Sequence, residues 1–237
     1  MTDRDVLRQK CADRGVFYNP WAHLAVTSIS GLAVMSVGAW MIHELKWWQV
    51  AFGVVLFVLS NAAEWRMHRD LLHKRVWFAP MIYDRHTPEH HVIFQTDEMA
   101  ITRTREFKLV LLPAFAIVAF AVGLLPAMAL IYLGLPWAFF APVDQHNLAG
   151  IFGIVTMGYI VSYEWLHLSY HLRADSFIGS IGLIRVLRRH HALHHDPKLM
   201  QNWNFNVSLP LWDLVRGTIA REQDRTVPQA ATTQASK

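Results

Sequence analysis

Four long apolar blocks dominate the chain, over residues 22–42, 48–63, 109–141 and 148–166. A helix needs about 20 apolar residues to cross the hydrocarbon core of a bilayer. The first and fourth blocks fit that length. The second is short unless the residues after it lie at the interface, and the third is long. Only 17% of the residues are charged, against about 25% in a typical soluble domain. The sequence therefore predicts an all-α integral membrane protein.

The distribution of basic residues predicts the number of crossings. Segments 1–21, 66–108 and 167–237 hold four, eight and nine Lys/Arg, whereas connectors 43–47 and 142–147 hold one and none. The positive-inside rule places the three basic segments in the cytoplasm. The third block then crosses once, its excess length taken up by tilt, by a kink at Pro126 or by an interfacial stretch after it. We expect four transmembrane helices with both termini on the cytoplasmic side.

The remaining segments complete the predicted organisation. Residues 177–189 alternate apolar side chains with arginines, which predicts a helix lying on the inner leaflet. Residues 221–237 are polar and lack aromatic side chains, so we expect a disordered tail. Residues 1–220 are expected to form a single membrane-embedded domain. The net charge is +4, and no basic patch lies on a nucleic-acid-binding motif, so we expect no nucleic-acid partner.

Histidines are the residues most suggestive of chemistry. The chain has 14 histidines, and eleven of them form four tight groups, all on the predicted cytoplasmic side. These groups are His68 and His73; His86, His90 and His91; His167 and His171; and His190, His191, His194 and His195. Chance would not place all four groups on one side of the membrane. The isolated His23, His43 and His146 are assigned no metal role.

The spacing of the grouped histidines indicates metal binding. Residues four apart share a helix face, so His86/His90, His167/His171 and His191/His195 can each direct two imidazoles at one point. Adjacent histidines point about 100° apart and can serve two neighbouring ions. His68 and His73 are five apart, so we expect the helix to end or bend between them. About ten imidazoles are too many for one ion and suit two.

Other residue types narrow the choice of ligands. The chain has a single cysteine, Cys11, so any metal must be held by nitrogen and oxygen atoms. Glu64 precedes His68 by four residues, and Glu164 precedes His167 by three. Either carboxylate could hold a ligand imidazole from behind. An interfacial position without a metal role is an equally weighted alternative for both.

The histidine motifs resemble those of the fatty acid hydroxylase/sterol desaturase superfamily of integral-membrane diiron enzymes. The matching motifs are His68-Arg-Asp-Leu-Leu-His73, His86-Thr-Pro-Glu-His90-His91, His167-Leu-Ser-Tyr-His171 and His191-Ala-Leu-His194-His195. The trailing segment 204–213, followed by Arg216-Gly217-Thr218, also resembles that family's C-terminal signature. The resemblance extends over residues 64–218.

The resemblance implies a helical membrane fold with a cytosolic, histidine-rich cap that holds two iron ions. The ligands it implies are His68, His73, His86, His90, His91, His167, His171, His191, His194 and His195. The last motif can begin at His190 or His191. The two-residue gap that follows His191 is the family's commoner form, so His190 would stand behind the ligands or be an additional one.

The activity implied by the resemblance is hydroxylation of a lipid, sterol or carotenoid, with O2 as co-substrate. The chain has neither a Gly-rich dinucleotide motif nor a cysteine set for an iron–sulfur cluster. An external electron donor, cytochrome b5-like or ferredoxin-like, is therefore implied. Residues 185–189 are one candidate docking face, although contact with lipid headgroups is the preferred interpretation of this stretch. Desaturation or demethylation at the same site is the main alternative. A histidine-rich metal transporter would carry its ligands within the spans, and a zinc hydrolase would need fewer histidines.

Overall fold

The computed structural model describes residues 2–134 and 142–226, and every regular element found among them is helical. The α-helices are α1 Asp3–Asp13, α2 Pro20–Met41, α3 Trp47–Met67, α4 Pro80–Arg85, α5 His91–Ile93, α6 Phe107–Val110, α7 Ala114–Gly134, α8 Pro142–Tyr170, α9 Gly182–His194 and α10 Leu211–Arg216. Two π-helical turns, His68–Leu72 and His86–His90, and two 3-10 turns, Thr104–Glu106 and Glu222–Thr226, lie between or after them.

The helices confirm the predicted four crossings. The described residues contain four helices long and apolar enough to cross a membrane: Pro20–Met41, Trp47–Leu72, Ala114–Leu133 and Pro142–Tyr170. The third apolar block forms one such helix, which continues through Pro126. The helix begins only after Pro113, so the first part of the block lies before it. The interfacial stretch predicted after α7 falls on residues 135–141, outside the described residues. Residues 142–147 form the first turns of α8 rather than a connector.

Local sequence explains where α1 and α2 begin. Asn19 caps α2, because its side-chain oxygen accepts hydrogen bonds from the backbone N–H groups of Trp21 and Ala22, both at 3.0 Å. Pro20 occupies the first helical position, where its missing N–H costs nothing. Thr2 and Asp5 form a reciprocal capping box at the start of α1. The polar residues just before each helix therefore satisfy its free amides.

The chain divides into two compact units. Among the described residues, the span unit comprises 19–60, 111–134 and 142–164, and the histidine unit comprises 2–18, 61–110 and 165–226. Helices α3 and α8 contribute residues to both units. The assignment of residues 1–220 to a single domain stays a prediction.

Close helix packing holds the span unit together. Its core contains Val34, Ile117, Ala121, Leu124, Met128, Ala149 and Met157. Gly38 of α2 faces Gly150 of α8 so closely that a Cβ on Gly38 would lie 2.7 Å from the Gly150 carbonyl oxygen. Small residues at such contacts are typical of helices packed within membranes, where van der Waals contact drives association.

Aromatic side chains and a buried arginine fill the histidine unit. Tyr170, Phe94 and Phe205 are fully buried. The Tyr170 hydroxyl donates to the Val207 carbonyl at 3.0 Å. Arg8 of α1 is also buried, and it pairs with the buried Glu106 at 3.2 Å. This unit therefore has its own core, which includes the N-terminal helix.

Two predicted peripheral segments differ in part from expectation. The amphipathic helix expected over 177–189 is α9, which begins later, at Gly182, and continues to His194. It buries Ile184 and Leu187 and exposes Leu183 and Val186. Within the expected disordered tail, residues 222–226 form a 3-10 turn, and Arg225 pairs with Asp196 at 2.7 Å. Residues 227–237 lie outside the described residues.

Candidate metal centre

Ten histidines of the histidine unit gather into two groups of five. Group 1 contains His68, His73, His86, His91 and His194, and group 2 contains His90, His167, His171, His191 and His195. One ring nitrogen from each histidine lies within 4.8 Å of those of the other members of its group. These are the ten histidines singled out from the sequence. His190 belongs to neither group, and its Nε2 lies 3.1 Å from Asp213 Oδ2.

The two π-helical turns explain the composition of group 1. In the first turn the His73 N–H donates to the His68 carbonyl at 3.2 Å, and in the second the His91 N–H donates to the His86 carbonyl. A π-helical turn joins residues five apart, so it brings side chains with that spacing onto one face. The helix end or bend expected between His68 and His73 is a π-helical turn.

The second π-helical turn also separates two histidines that the sequence placed together. His86 and His90 are four apart, yet His86 belongs to group 1 and His90 to group 2. Two other pairs with this spacing, His167/His171 and His191/His195, each lie within group 2 as expected. The adjacent pairs His90/His91 and His194/His195 each contribute one residue to each group, as expected for two neighbouring ions.

Backbone carbonyls fix the orientation of half of these imidazoles. His68 Nδ1 lies 2.5 Å from the Phe205 carbonyl oxygen, and His194 Nδ1 lies 2.8 Å from that of Trp203. In group 2, the Nδ1 atoms of His90, His171 and His195 contact the carbonyl oxygens of Leu109, Met99 and Phe94. A carbonyl only accepts, so each Nδ1 must carry the proton. Each of the five Nε2 atoms then keeps its lone pair, which is the form that binds metal.

The inward nitrogens crowd around two points. In group 1, His86 Nε2 lies 2.9 Å from His68 Nε2 and 3.0 Å from His91 Nε2. In group 2, His191 Nε2 lies 3.0 Å from His195 Nε2 and 3.3 Å from His171 Nε2. The Nε2 atoms of His195 and His171 both offer lone pairs, and one proton on His191 cannot serve both fully. A cation at each point would accept these lone pairs, so the donor set fits imidazole-binding metals such as iron, zinc or copper.

Unpaired nitrogens support the same conclusion. Within the part of the chain that the structure describes, the buried His90 Nε2 has no hydrogen-bond partner, and neither do His91 Nδ1 and His191 Nδ1. A buried polar atom left without a partner is costly. The Nε2 atom of His90 is informative, because the proton of this ring is on Nδ1, which donates it to the Leu109 carbonyl. Its Nε2 lone pair is available to a metal ion.

Burial keeps these imidazoles neutral. Among the ten, His86 is the most exposed, at 7%. Burial lowers the pKa of His90 to about 3, although its bond to the Leu109 carbonyl opposes the shift. Burial also lowers the pKa of His86, His91 and His191 well below its ordinary value, and the neighbouring imidazoles add to the effect. Protons therefore do not compete for these nitrogens at neutral pH.

The carboxylates and isolated histidines occupy other positions. Glu64 accepts hydrogen bonds from the backbone N–H groups of Val207 and Ser208 and from the Ser208 hydroxyl. Glu164, in the span unit, accepts from the backbone N–H of Leu112 at 3.1 Å. His23 Nε2 contacts the carbonyl of Leu112, and His146 Nδ1 that of Pro142, each at 2.8 Å. The bonds described for the two glutamates come from backbone N–H groups and, for Glu64, also from a serine hydroxyl.

Sequence reasoning missed the groups that hold the imidazoles from behind. Five of these groups are backbone carbonyls. Every residue has one, so the sequence cannot indicate which of them contact a histidine. Asp213 was also missed, although it accepts hydrogen bonds from the backbone N–H groups of Phe205 and Asn206. One signal was present, because the trailing segment 204–213 had been singled out for its resemblance to a family signature.

Comparison with known proteins identifies the family. The fatty acid hydroxylase family model matches residues 53–218, which include both histidine groups. Among solved structures, "Full length scs7p (only hydroxylase domain visible)" has a TM-score of 0.53 and 19% identity, covering 88% of this chain and 68% of that one. At that identity the likeness concerns the fold. No curated protein sequence matches significantly. The family match covers well over half of the chain, which is thus a membrane oxidoreductase belonging to the fatty acid hydroxylase family.

Proposed function

We propose that the protein is a diiron hydroxylase that uses O2 to insert oxygen into a C–H bond of a lipid-like substrate. The observation that carries the proposal is the pair of five-histidine groups, which offers ten neutral nitrogen ligands around two neighbouring points. Membership of the fatty acid hydroxylase family favours hydroxylation over desaturation. The similar solved structure is also described as a hydroxylase domain.

Each histidine group is proposed to hold one metal ion. When bound, two iron ions would supply O2-dependent oxidation of an unactivated C–H bond. The chain contributes the geometry: carbonyl contacts at Nδ1 turn the Nε2 atoms of His68, His194, His90, His171 and His195 inward. Burial contributes a dry site and keeps the ligand imidazoles unprotonated. His190 is proposed to act behind the ligands, through Asp213.

The substrate is proposed to be a membrane lipid in the broad sense, including fatty acyl lipids, sterols and carotenoids. Four membrane-spanning helices keep the protein in the phase where such molecules dissolve. The excess of Lys/Arg in the segments that carry the histidines favours a cytoplasmic site and cytoplasmic termini.

Electrons are proposed to come from a separate protein, cytochrome b5-like or ferredoxin-like. The one cysteine, Cys11, is buried and cannot build an iron–sulfur centre alone. Helix α9 carries the exposed Arg185 and Arg189, which are a candidate docking face for an acidic donor. Lipid headgroups are the other natural partner of these arginines.

The test compares whole-cell lipids from cells that express the wild type, His194→Ala or His43→Ala, grown under 18O2. His194 belongs to group 1, whereas the exposed His43 belongs to neither group. A hydroxylase yields a lipid with one labelled oxygen in the wild type and in His43→Ala, and none in His194→Ala. Mass spectrometry also reports the class of lipid that carries the label.

Two other outcomes separate the alternatives. A lipid that loses two hydrogens without gaining label, in the wild type and His43→Ala only, would identify a desaturase with the same metal centre. Unchanged lipids in all three strains, with a reducing partner supplied and iron bound to the purified protein, would contradict the proposal.

A further inference from the structure

A short loop carries both carbonyls that orient group 1. Trp203 accepts from His194 at 2.8 Å, and Phe205 accepts from His68 at 2.5 Å. Asn204 lies between them with φ of 57°, in the left-handed region that non-glycine residues rarely adopt. Its side chain donates to the His190 carbonyl at 2.9 Å and accepts from the Ala220 N–H at 2.7 Å. These bonds hold a backbone conformation that would otherwise be unfavourable.

Asp213 holds this loop in place. Its Oδ1 accepts from the Phe205 N–H at 3.0 Å and from the Thr218 hydroxyl at 2.6 Å. Its Oδ2 accepts from the Asn206 N–H at 2.8 Å and contacts His190 Nε2 at 3.1 Å. The carboxylate is fully buried, so these donors replace the water that it would otherwise bind.

A different segment orients group 2. The carbonyls of Phe94 and Met99 accept from His195 and His171. The carbonyl of Leu109 accepts from His90, so all three anchors lie between residues 94 and 109. No residue of the loop that orients group 1 takes part in these contacts.

Arg8 of α1 holds this second segment. Its guanidinium donates to Glu98 at 2.7 Å, to the Ala100 carbonyl at 2.5 Å and to Glu106 at 3.2 Å. The same group lies 5.2 Å from the centre of the Phe94 ring. Glu106 is fully buried and accepts from the Thr102 N–H and hydroxyl at 3.0 and 2.7 Å. One arginine thus joins several points of the segment that carries the Phe94 and Met99 carbonyls.

We propose that Asp213 and Arg8 are positioning residues for different halves of the metal centre, Asp213 for group 1 and Arg8 for group 2. This inference rests on the proposed function, because it takes each group to hold one metal ion. Helix α9 carries histidines of both groups, so the selectivity comes from the carbonyls that orient the rings. Loss of a partner behind a ligand imidazole typically weakens metal affinity about 10- to 100-fold.

The experiment uses the purified full chain loaded with ferrous iron under anaerobic conditions. Asp213→Asn places an amide N–H₂ among hydrogen-bond donors, and Arg8→Lys keeps the charge but loses the planar fork. The matched controls are Asp175→Asn and Arg173→Lys, from an exposed pair whose atoms lie 2.6 Å apart. Iron bound per folded chain is measured against a graded chelator. We expect each test variant to release one of its two ions at a chelator concentration ~10- to 100-fold lower than the wild type requires. The controls should release both ions at the wild-type concentration.

Second substitutions identify which ion is lost. In the Asp213→Asn background, adding His194→Ala should cause little further loss of tightly held iron, because both changes act on group 1. Adding His191→Ala, from group 2, should remove the remaining ion. In the Arg8→Lys background the expectation is reversed. His191→Ala should cause little further loss of iron, and His194→Ala should remove the remaining ion. Such non-additivity is the mark of residues that act on one site, and a general loss of stability would not produce it.

The outcomes distinguish the inference from the function on which it rests. A wild type that binds no iron tightly, or only one ion, contradicts the proposed function. A wild type that binds two ions, with variants that weaken both ions equally or neither, contradicts the inference alone. If Asp213→Asn does not fold, as judged by size-exclusion chromatography, Thr218→Val removes one donor to Asp213 and should show the same selectivity in weaker form.

Discussion

The Nε2 atoms of His86 and His91 lie 3.0 Å apart, and the His91 N–H donates to the His86 carbonyl across a π-helical turn. The turn rotates the chain so that residue 91, not residue 90, faces His86. His90 is thereby directed to group 2. Isolated π-helical turns are uncommon and often mark functional sites. Here one turn divides two adjacent histidines between two groups.

Because His90 and His91 belong to different groups, substituting each of them should remove a different metal ion. His91→Ala should remove the ion held by group 1, and His90→Ala the ion held by group 2. Each single variant should then hold about one iron ion per chain tightly and the double variant almost none, because the altered group loses one of its five ligands while the untouched group keeps all five. Iron per chain, measured by plasma mass spectrometry, checks this. His43→Ala is the control and should keep both ions. A double variant that still holds one ion would contradict the division.

Hydropathy and histidine spacing predict much of this architecture. Apolar length locates the candidate spans, and the distribution of basic residues assigns a single crossing to the long third block, which gives four. Grouping of the histidines leaves eleven candidates, and the resemblance to the family selects the ten that the structure brings together. His190 has a sequence context much like that of His191, but in the structure it lies outside both groups and contacts Asp213.

The division of the ten histidines is not visible in the sequence. The rule that residues four apart share one face assumes α-helical geometry. It places His86 with His90, because no local sequence feature indicates a π-helical turn. The carbonyls of Trp203 and Phe205 orient His194 and His68 from far along the chain. Contacts of this kind depend on tertiary structure, which spacing along one segment does not encode.

The close packing of α2 against α8 predicts that one added methyl group lowers the stability of the protein. In Gly38→Ala the new Cβ would lie 2.7 Å from the Gly150 carbonyl oxygen and 2.9 Å from Ile154 Cγ1. Backbone atoms cannot rotate away, so the helices must separate, at a cost of about 1–3 kcal/mol. Thermal unfolding in detergent should show a lower midpoint. Gly123→Ala in α7 is the control, since nothing lies within 4 Å of its Cβ position, and it should be neutral or slightly stabilising. Equal midpoints for both variants would contradict the packing argument.

The buried pair of Arg8 and Glu106 predicts a large effect of neutralising one partner. Glu106→Gln leaves the Arg8 guanidinium, which is only 8% exposed, without the carboxylate at 3.2 Å. Breaking a buried pair costs about 3–5 kcal/mol when the remaining charge has no other partner, and the Glu98 carboxylate, 2.7 Å from Arg8, lowers that cost here. Asp175→Asn, from the exposed pair with Arg173, should cost under about 1 kcal/mol. Chemical unfolding of the purified protein compares the two, and a cost for Glu106→Gln no larger than that of Asp175→Asn would count against a stabilising role for the pair.

Acid should destabilise the metal-free protein as the pH falls below the ordinary pKa of histidine. Burial holds the pKa of His90 at about 3 in the folded state, whereas an unfolded chain restores a histidine pKa near ~6.5. The folded state therefore binds fewer protons below that value, and its stability is fully present above pH ~6.5 and falls as the pH drops toward the folded pKa. Each such imidazole contributes a slope of up to about 1.4 kcal/mol per pH unit.

Unfolding midpoints of the chelator-treated protein should fall steeply between pH ~6.5 and ~5. His90→Gln should flatten the fall and His43→Gln should not, and a wild-type profile that stays level over that range would show that the buried imidazoles do not control acid stability.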